Sequence, residues 1–270
     1  MQTLVFDIET IPDIQLLRDI HEWDQLDDAE VHQAAVAHNR YTRGSDFFQL
    51  HLHQIVAISV VLRAQDQISV WSLGDENASE KELIQRFFTG IEKFQPTLVS
   101  WNGSGFDLPV LHYRAMKHSV NAQHYWDTGR FDQQLKYNNY VNRYHARHTD
   151  VMDVLALYNG RATAKLDQIA VMLGYPGKMG MSGDKVYTTW RAGNIAAIRN
   201  YCETDVLNTY LVYLRFQEMQ GVLSHQDRQQ EEILLQQLLQ NERTARPHLG
   251  EFVDLMNHAS THDTNDNDTS

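Results

Sequence analysis

The sequence of 270 residues predicts an α/β fold built on a mixed sheet, and three observations support this prediction. Residues 2–8 form a short run of apolar, β-branched and aromatic residues, which is typical of a buried strand. Residues 55–62 and 68–73 are two further strand-like runs joined by a polar turn, as in a β-hairpin. The pattern then passes through helix, strand and helix, which is the succession expected when helices cover a mixed sheet.

The other elements of the N-terminal half follow from local signals. Residues 13–46 are polar and partly helical. Ser79 and Glu82 have the S-x-x-E spacing of a capping box, so a helix is expected to begin there and to end before Pro96. Residues 97–101 read as a strand, followed by a glycine-rich turn and a helix.

The C-terminal half is predominantly helical in its pattern, with a Gly/Pro/Lys loop at 174–185 and a long helix over 194–219. Ser224 and Asp227 are expected to cap a last helix, whose apolar stripe is Ile233, Leu234, Leu238 and Leu239. We therefore divide the chain into an α/β domain, a C-terminal helical extension and a disordered acidic tail, with predicted bounds 1–220, 221–256 and 257–270.

Composition restricts the setting and the partners. No apolar run is long enough for a membrane span, and the N-terminus lacks the pattern of a signal peptide. The single cysteine, Cys202, excludes an internal disulfide framework, so we expect a cytoplasmic protein without membrane partners. The net charge of -12 excludes a broad basic surface, but it leaves room for a narrow nucleic-acid channel.

The first candidate site is the segment FDIET, residues 6–10. Alternation along a strand places Asp7 and Glu9 on one face, where their charges repel unless a cation lies between them. Carboxylates are the usual ligands of hard ions such as Mg²⁺ or Mn²⁺. An exposed strand face is the alternative interpretation of the D-x-E pattern.

Two further segments carry acids at comparable places. In SWNGSGFDLPVL, residues 100–111, Asp107 begins a helix after a strand and a turn, and a helix N-cap is its structural alternative. In the long helix, Tyr201 and Asp205 are four residues apart and share one face. That face lies beside the predicted core stripe of Ile195, Ile198, Cys202, Val206 and Tyr210, whereas a half-buried tyrosine next to a solvated acid is the alternative.

Together, the D-x-E, N-x-x-x-F-D and Y-x-x-x-D segments resemble, in order and character, the three motifs of the DEDDy 3'-5' exonucleases. The chain looks closest to the bacterial family related to the exonuclease domain of family-B DNA polymerases. The resemblance extends over about residues 3–216, including HTDVMDVL at 148–155 and KLDQIAVMLGYPGK at 165–178. It implies a ribonuclease H-like fold, a mixed five-stranded sheet flanked by helices.

The resemblance also implies a mechanism that uses two divalent cations, Mg²⁺ or Mn²⁺. The expected metal ligands are Asp7, Glu9, Asp107 and Asp205, and Tyr201 is expected to orient the attacking water. The implied reaction removes nucleoside 5'-monophosphates from the 3' end of single-stranded nucleic acid. DNA is favoured over RNA, although no motif reports on the sugar 2'-hydroxyl.

Substrate contacts are expected at two places. Thr10, Asn102 and Phe106 lie within the motifs. The segment 124–148 combines six aromatic residues with Arg130, Lys136, Arg143 and Arg147, and from it we select Arg130, Tyr137 and Arg143 as contacts to bases and phosphates. A polar surface loop that packs its own tyrosines is the alternative. Lys178 and Lys185, in the 174–185 loop, are further candidates for phosphate contact.

Three other interpretations need to be distinguished from a nuclease. The fourteen histidines show no zinc-binding spacing, and Asp150 and Asp153 are expected to be a helix cap and a solvated residue. A nucleic-acid-binding scaffold with a vestigial site would be expected to have lost an acid, and none is missing here. A phosphodiesterase for short oligonucleotides is compatible with the acidic composition.

Overall fold

In the computed structural model, which describes residues 2–263, a mixed sheet of five strands lies at the centre of the fold. The strands, in chain order, are β1 (Thr3–Pro12), β2 (His53–Ala64), β3 (Gln67–Ser72), β4 (Thr97–Ser100) and β5 (His148–Asp150). Their order across the sheet is β3-β2-β1-β4-β5. β1 lies in the middle of this order, and its apolar residues Leu4, Val5, Phe6 and Ile8 are buried, as expected of a central strand. The predicted strand near the N-terminus is confirmed.

Strand directions make the sheet mixed. β1 pairs antiparallel with β2, which continues into β3 as the predicted hairpin, and β4 lies parallel to β1 on its other side. β5 lies parallel to β4 at the edge. This order, with helices on both sides, confirms the α/β, ribonuclease H-like fold class predicted for the chain.

Helices fill the connections between strands and cover the sheet. In the N-terminal half they are α1 (Ile14–His21), α2 (Asp28–Arg43), α3 (Glu80–Phe94), α4 (Asp107–Lys117) and α5 (Gln123–Trp126). The C-terminal half contains α6 (Val151–Leu155), α7 (Leu166–Met172), α8 (Val186–Arg191), α9 (Ile195–Met219), α10 (His225–Glu242) and α11 (Pro247–Asp263). No helix among the described residues is both long enough and apolar enough to cross a membrane.

The segment between β1 and β2 forms a small helical unit, as its partly helical pattern predicts. α2 begins with a complete capping box, in which Asp27 accepts from the Glu30 amide and Glu30 accepts from the Asp27 amide. The two helices enclose a core of their own, made of Leu17, Val31, Ala35, Phe48 and Leu52.

The start of α3 differs from its prediction in one detail. Ser79 caps the helix by accepting from the Glu82 amide at 3.3 Å, as expected. The Glu82 carboxylate, however, accepts from Arg86 one turn later instead of returning to the cap. An exposed arginine four residues away is a charged donor and competes well with a backbone amide.

The long helix α9 is confirmed, with Asn194 as its N-cap. Of the predicted stripe, Ile198, Cys202, Val206 and Tyr210 are buried and Ile195 is partly buried. The capping box of Ser224 and Asp227 is also present, at the start of α10. Most of α9 beyond Tyr201 is buried on every side, because the sheet covers one face and further helices cover the others.

The C-terminal extension contains two helices, whereas the sequence predicted one. α10 and α11 pack together and share a hydrophobic cluster with α9. The predicted stripe of α10 is confirmed at Leu239, which is fully buried, and at Leu234 and Leu238, which are partly buried against the same cluster. It is wrong at Ile233, which is exposed, and it omits Leu235, which is fully buried. Residues 257–263, for which disorder is predicted, are included in α11, and the predicted tail at 264–270 lies outside the described residues.

A buried ion cluster joins β1 to α3 and α4. Arg114, only 2% exposed, donates to Asp13 after β1 and to Glu80 at the start of α3, at 2.5 Å in each case. Lys117 also contacts Asp13, and Glu80 accepts from the backbone amide of Ile55. The cluster therefore fixes α4, which begins at Asp107, relative to the two central strands.

Replacing Arg114 with methionine should lower the free energy of unfolding by about 3–5 kcal/mol, because Asp13 and Glu80 would remain buried after losing their shared buried cation, with only the more exposed Lys117 and His118 left beside them. Chemical denaturation measures this loss. Arg86→Met is the matched control, since it breaks an exposed pair and should cost less than about 1 kcal/mol. Equal effects of the two substitutions would contradict this account of the cluster.

Candidate active site

The first two acids lie where β1 extends beyond its parallel neighbour. β4 pairs with β1 only as far as Val5, so Asp7 and Glu9 follow the last paired position. Their two-residue spacing places both side chains on one face, as predicted. Glu9 is 8% exposed and Asp7 is half-buried.

Asp107 lies beside β1 where β4 no longer pairs with that strand. Its Oδ1 accepts a hydrogen bond at 3.1 Å from the amide of Ile8, which lies beyond the paired part of the strand. The alternative of a helix cap is wrong, because the N-cap of α4 is Phe106 and Asp107 is the first helical residue. The contact brings the second motif against the first, although 99 residues separate them.

The turn before Asp107 is held by Asp150 at the end of β5. The carboxylate of Asp150 accepts from the amides of Asn102 and Ser104 at 2.9 and 2.8 Å, and it also caps α6 through Asp153. The predicted cap is thus confirmed, and its contact with the turn is an addition. Gly103 is required here, since a Cβ would lie 2.3 Å from Ser100 Oγ.

The third pair comes from α9, and the structure brings it to the same place. Tyr201 is 8% exposed, and the Asp205 carboxylate one turn later is close enough to raise the pKa of its phenol. Between them, Cys202 is fully buried, and its Sγ lies 3.5 Å from Oδ2 of Asp7 and 3.4 Å from the Asp7 carbonyl oxygen. The buried thiol therefore ties the helix to the first motif.

The four carboxylates lie close enough to shift one another's titration. Burial raises the pKa of Asp7 well above its ordinary value, and the charges of the other three acids raise it further. The pKa of Glu9 is raised by burial and then by the charges of Asp205 and Asp107. Burial raises the pKa of Asp107 to about 7 and that of Asp205 to about 6.

The pKa of Tyr201 is raised, like the pKa values of the acids. Burial raises the pKa of its phenol, and the charges of Asp205 and Glu9 raise it further. The hydroxyl therefore keeps its proton at neutral pH and is a hydrogen-bond donor.

Lys178 is the cation that faces these acids. Its charge lowers the pKa of both Glu9 and Asp205. The preceding residue, Gly177, exchanges two hydrogen bonds with the buried amide of Asn208 on α9, at 3.2 and 2.8 Å. Gly177 has φ of 64°, and a Cβ there would lie 2.8 Å from Val171, so only glycine fits. α9 thus fixes the backbone next to Lys178.

A cavity of about 780 Å³ opens at this place. Asp7, Asp107, Tyr201 and Asp205 line it, while Glu9 is not among its lining residues. A volume of this size is within the range of small-molecule sites. Lys165, Asp167, Gln168, Trp101 and Met152 also line the cavity, and sequence reasoning assigned no site role to them.

The predicted substrate contacts are divided by the structure. Asn102 and Phe106 line the cavity. Thr10 instead hydrogen-bonds the ring of His53 at 2.9 Å. Arg130 and Tyr137 do not line the cavity, and Arg143 lines a separate cavity of about 370 Å³ on the other side of the 102–105 turn.

The 124–148 segment is partly core and partly surface. Tyr125 and Tyr140 are buried in the cluster beneath α3, so these two aromatics are unavailable for stacking on bases. Tyr137, Tyr144 and Phe131 are exposed. The segment thus mixes the two interpretations given to it, and substrate contact by Arg130, Tyr137 and Arg143 stays a prediction.

The donor set fits hard divalent cations better than soft ones. Oxygen and sulfur atoms of Asp7, Glu9 and Cys202 lie within 4.8 Å of one another, and Asp107 and Asp205 lie outside this tightest group. Burial also raises the pKa of the Cys202 thiol, which keeps its proton and donates to Asp7. Clustered carboxylates with raised pKa values are acids that lack a sufficient counter-charge, and divalent cations supply one.

A comparison with protein families gives a match over most of the chain. A family model described as "predicted 3'-5' exonuclease related to the exonuclease domain of PolB" matches residues 45–256. That span includes Asp107, Tyr201 and Asp205, and Asp7 and Glu9 precede it.

Two relatives are much longer than this chain. A DNA polymerase of Archaeoglobus fulgidus is 26% identical over 161 residues, which are 58% of this chain and 19% of the polymerase. The solved structure of the family B DNA polymerase from the hyperthermophilic archaeon Pyrobaculum calidifontis matches with a TM-score of 0.46 and 20% identity. It covers 79% of this chain and 25% of that chain. The resemblance inferred from the motifs is confirmed by the family model.

Replacing Asp107 with asparagine should stabilise the metal-free protein increasingly as the pH rises. The folded-state pKa of Asp107, about 7, lies above its ordinary value, so the wild-type acid loses stability as the pH rises through that value. Asparagine keeps the acceptor for Ile8 and carries no charge. Between about pH 5 and about pH 8, the difference in unfolding free energy should grow by about 2 kcal/mol in favour of the variant.

Denaturation in a chelator, with and without added Mn²⁺, measures this difference. Mn²⁺ should stabilise the wild type more than the variant. Asp66→Asn, on the exposed turn between β2 and β3, is the matched control. A difference that does not change with pH would show that Asp107 carries no unbalanced charge.

Proposed function

We infer a hydrolytic function from one premise, that this chain belongs to the family of predicted 3'-5' exonucleases related to the exonuclease domain of PolB. We propose that it hydrolyses phosphodiester bonds at the 3' end of single-stranded nucleic acid and releases nucleoside 5'-monophosphates. The observation that carries the proposal is the meeting of Asp7, Asp107, Asp205 and Tyr201 at one cavity, with the charge of Glu9 close enough to raise the pKa of Asp7.

The four acids would hold two divalent cations, Mg²⁺ or Mn²⁺. Bound there, the cations would supply charge neutralisation for the phosphate and activation of water. The reaction itself is a displacement: the water oxygen forms a bond to phosphorus, the bond from phosphorus to the 3' oxygen breaks, and that oxygen takes up a proton.

Tyr201 and Lys178 supply what carboxylates cannot. In the proposed mechanism, the neutral phenol of Tyr201 hydrogen-bonds the attacking water and holds it in line with phosphorus. The hydroxyl faces the same cavity as Asp7, Asp107 and Asp205. Lys178, held by the Gly177–Asn208 pair, provides a positive charge for the phosphate as negative charge develops.

The substrate class follows from the shape and charge of the molecule. A cavity bordered by Phe106 and Trp101 accommodates an unpaired terminal nucleotide, because its base can contact an aromatic wall. The net charge of -12 disfavours a duplex lying along the protein surface. DNA is favoured over RNA because the relative from Archaeoglobus fulgidus is a DNA polymerase.

Replacing Asp205 or Asp7 with asparagine should lower kcat by about 10³-fold or more, because each substitution removes a charged ligand of the divalent cations that would neutralise the reacting phosphate. The assay follows shortening of a 5'-labelled single-stranded oligonucleotide in Mg²⁺ or Mn²⁺, with gel separation of the products. Asp66→Asn serves again as the control with wild-type activity.

Two outcomes would overturn the proposal. One is a wild-type protein that shortens no oligonucleotide in either metal, as a scaffold with a vestigial site would behave. The other is an Asp205→Asn variant that retains full activity. A substrate series from two to thirty or so nucleotides separates a nuclease for long strands from a phosphodiesterase for short ones.

Replacing Tyr201 with phenylalanine should lower kcat about 10²-fold and leave KM within about twofold, because the hydroxyl acts on the water and not on substrate binding. The ring is retained, so the fold should be unaffected, and thermal unfolding checks this. An equal rise in KM would contradict the role given to the hydroxyl.

A further inference from the structure

Two adjacent phenylalanines between α2 and β2 have opposite surroundings. Phe48 is 6% exposed and belongs to the core enclosed by α1 and α2. Phe47 is 58% exposed. An exposed large aromatic side chain is common on protein surfaces, so its significance depends on how it is held and on what lies beside it.

The backbone that carries Phe47 is firmly held. The buried side-chain amide of Asn39 donates to the carbonyl oxygens of both Ser45 and Phe47 at 2.8 Å. Ser45 Oγ accepts from the Phe47 amide at 3.0 Å. Asp46 forms a two-pronged pair with Arg40, 2.7 Å in each arm. The exposure of Phe47 is therefore a fixed feature of the α1–α2 unit.

The ring of Phe47 continues an aromatic surface that begins in the catalytic cavity. Its centroid lies 5.7 Å from that of Phe106 and 5.1 Å from that of His53. Phe106 lines the cavity together with the acids, whereas Phe47 is not among the lining residues. Phe47 thus lies one aromatic ring further out from the site of hydrolysis.

His53 joins this surface to the first motif. Its Nε2 donates to the Phe48 carbonyl at 3.2 Å, and its Nδ1 accepts from the hydroxyl of Thr10 on β1 at 2.9 Å. These bonds use both ring nitrogens in a neutral histidine. Burial also lowers the pKa of His53, which keeps the ring uncharged at neutral pH. Phe47, His53 and Phe106 therefore form one continuous aromatic surface at the edge of the cavity.

We propose that Phe47 stacks on the nucleobase next to the terminal nucleotide, and that the helical unit between β1 and β2 serves to present it. The inference rests on the proposed function, because it names how the same strand leaves the same cavity. A fixed, uncharged ring beside the cavity suits a nucleobase, since every base has a flat face and stacking tolerates any sequence. A duplex end would have to unpair to reach it.

The first experiment compares two substrates that differ in the second base. A 5'-labelled oligothymidylate supplies it, and the p-nitrophenyl ester of thymidine 5'-monophosphate does not. In Phe47→Ala, the ratio of kcat/KM for the oligonucleotide to that for the ester should fall about tenfold, mainly through KM. Phe47→Tyr should restore the ratio, because it keeps the ring. Tyr41→Ala, which truncates a tyrosine 91% exposed near the end of α2, is the control.

The second experiment measures binding without hydrolysis. Fluorescence anisotropy of a labelled oligothymidylate should report about tenfold weaker binding to Asp205→Asn/Phe47→Ala than to Asp205→Asn alone. Weaker binding combined with an inactive wild type would overturn the nuclease function and retain the stacking. In the first experiment, an equal fall in kcat/KM for the oligonucleotide and for the ester would overturn the stacking. No fall in kcat/KM for either substrate would also overturn it and would point to a protein partner at Phe47.

Discussion

The mutual repulsion of four clustered carboxylates is the constraint on which the rest of this structure depends. Asp7, Glu9, Asp107 and Asp205 come from three distant segments, and each raises the free energy of ionising another. A fold tolerates such a cluster only if other interactions hold its members in place. Much of the polar architecture does this: Asp150 holds the turn before Asp107, Arg114 fixes α4, and Asn208 fixes the loop before Lys178.

These supports share a physical character. Each is a buried polar group with satisfied hydrogen bonds, lying one layer behind a residue of the site. In a low-dielectric interior such groups have few alternative partners, so they define one arrangement of the side chains they hold. The site can therefore remain ordered although its own charges oppose its assembly, and the same opposition favours the capture of divalent cations.

Local periodicity predicted four of the five strands, the long helix and the shared faces of four motif residues, whereas the fifth strand and the role of Asp107 were implied only by the family resemblance. Asp7 and Glu9 follow from alternation in a strand, and Tyr201 and Asp205 from spacing in a helix. The supports could not be predicted, because Asp150, Asn208 and Arg114 act through contacts far apart in the chain. The stripe of α10 was wrong at Ile233 and missed Leu235 for a related reason: apolar residues lie on several faces of this helix, and only packing against its neighbours buries Leu235 and exposes Ile233.

The burial of individual aromatic residues is likewise not predictable from the sequence. Phe47 and Phe48 are identical in type and adjacent, and only the tertiary fold buries one and exposes the other. Tyr125 and Tyr140 belong to an aromatic segment that reads as a surface, yet α3 covers them. Composition can suggest that a segment meets a ligand, but it does not separate the side chains that face solvent from those that fill the core.

The contacts that close the site also determine when it can form. Ile8 meets Asp107 across 99 residues, and Asp7 meets Cys202 across 195. Contacts of such long range form late, after the intervening chain has folded. During synthesis, a nascent chain that has not yet released α9 carries Asp7, Glu9 and Asp107 but neither Tyr201 nor Asp205. The order of the motifs along the chain thus postpones a competent centre until nearly the whole domain has left the ribosome.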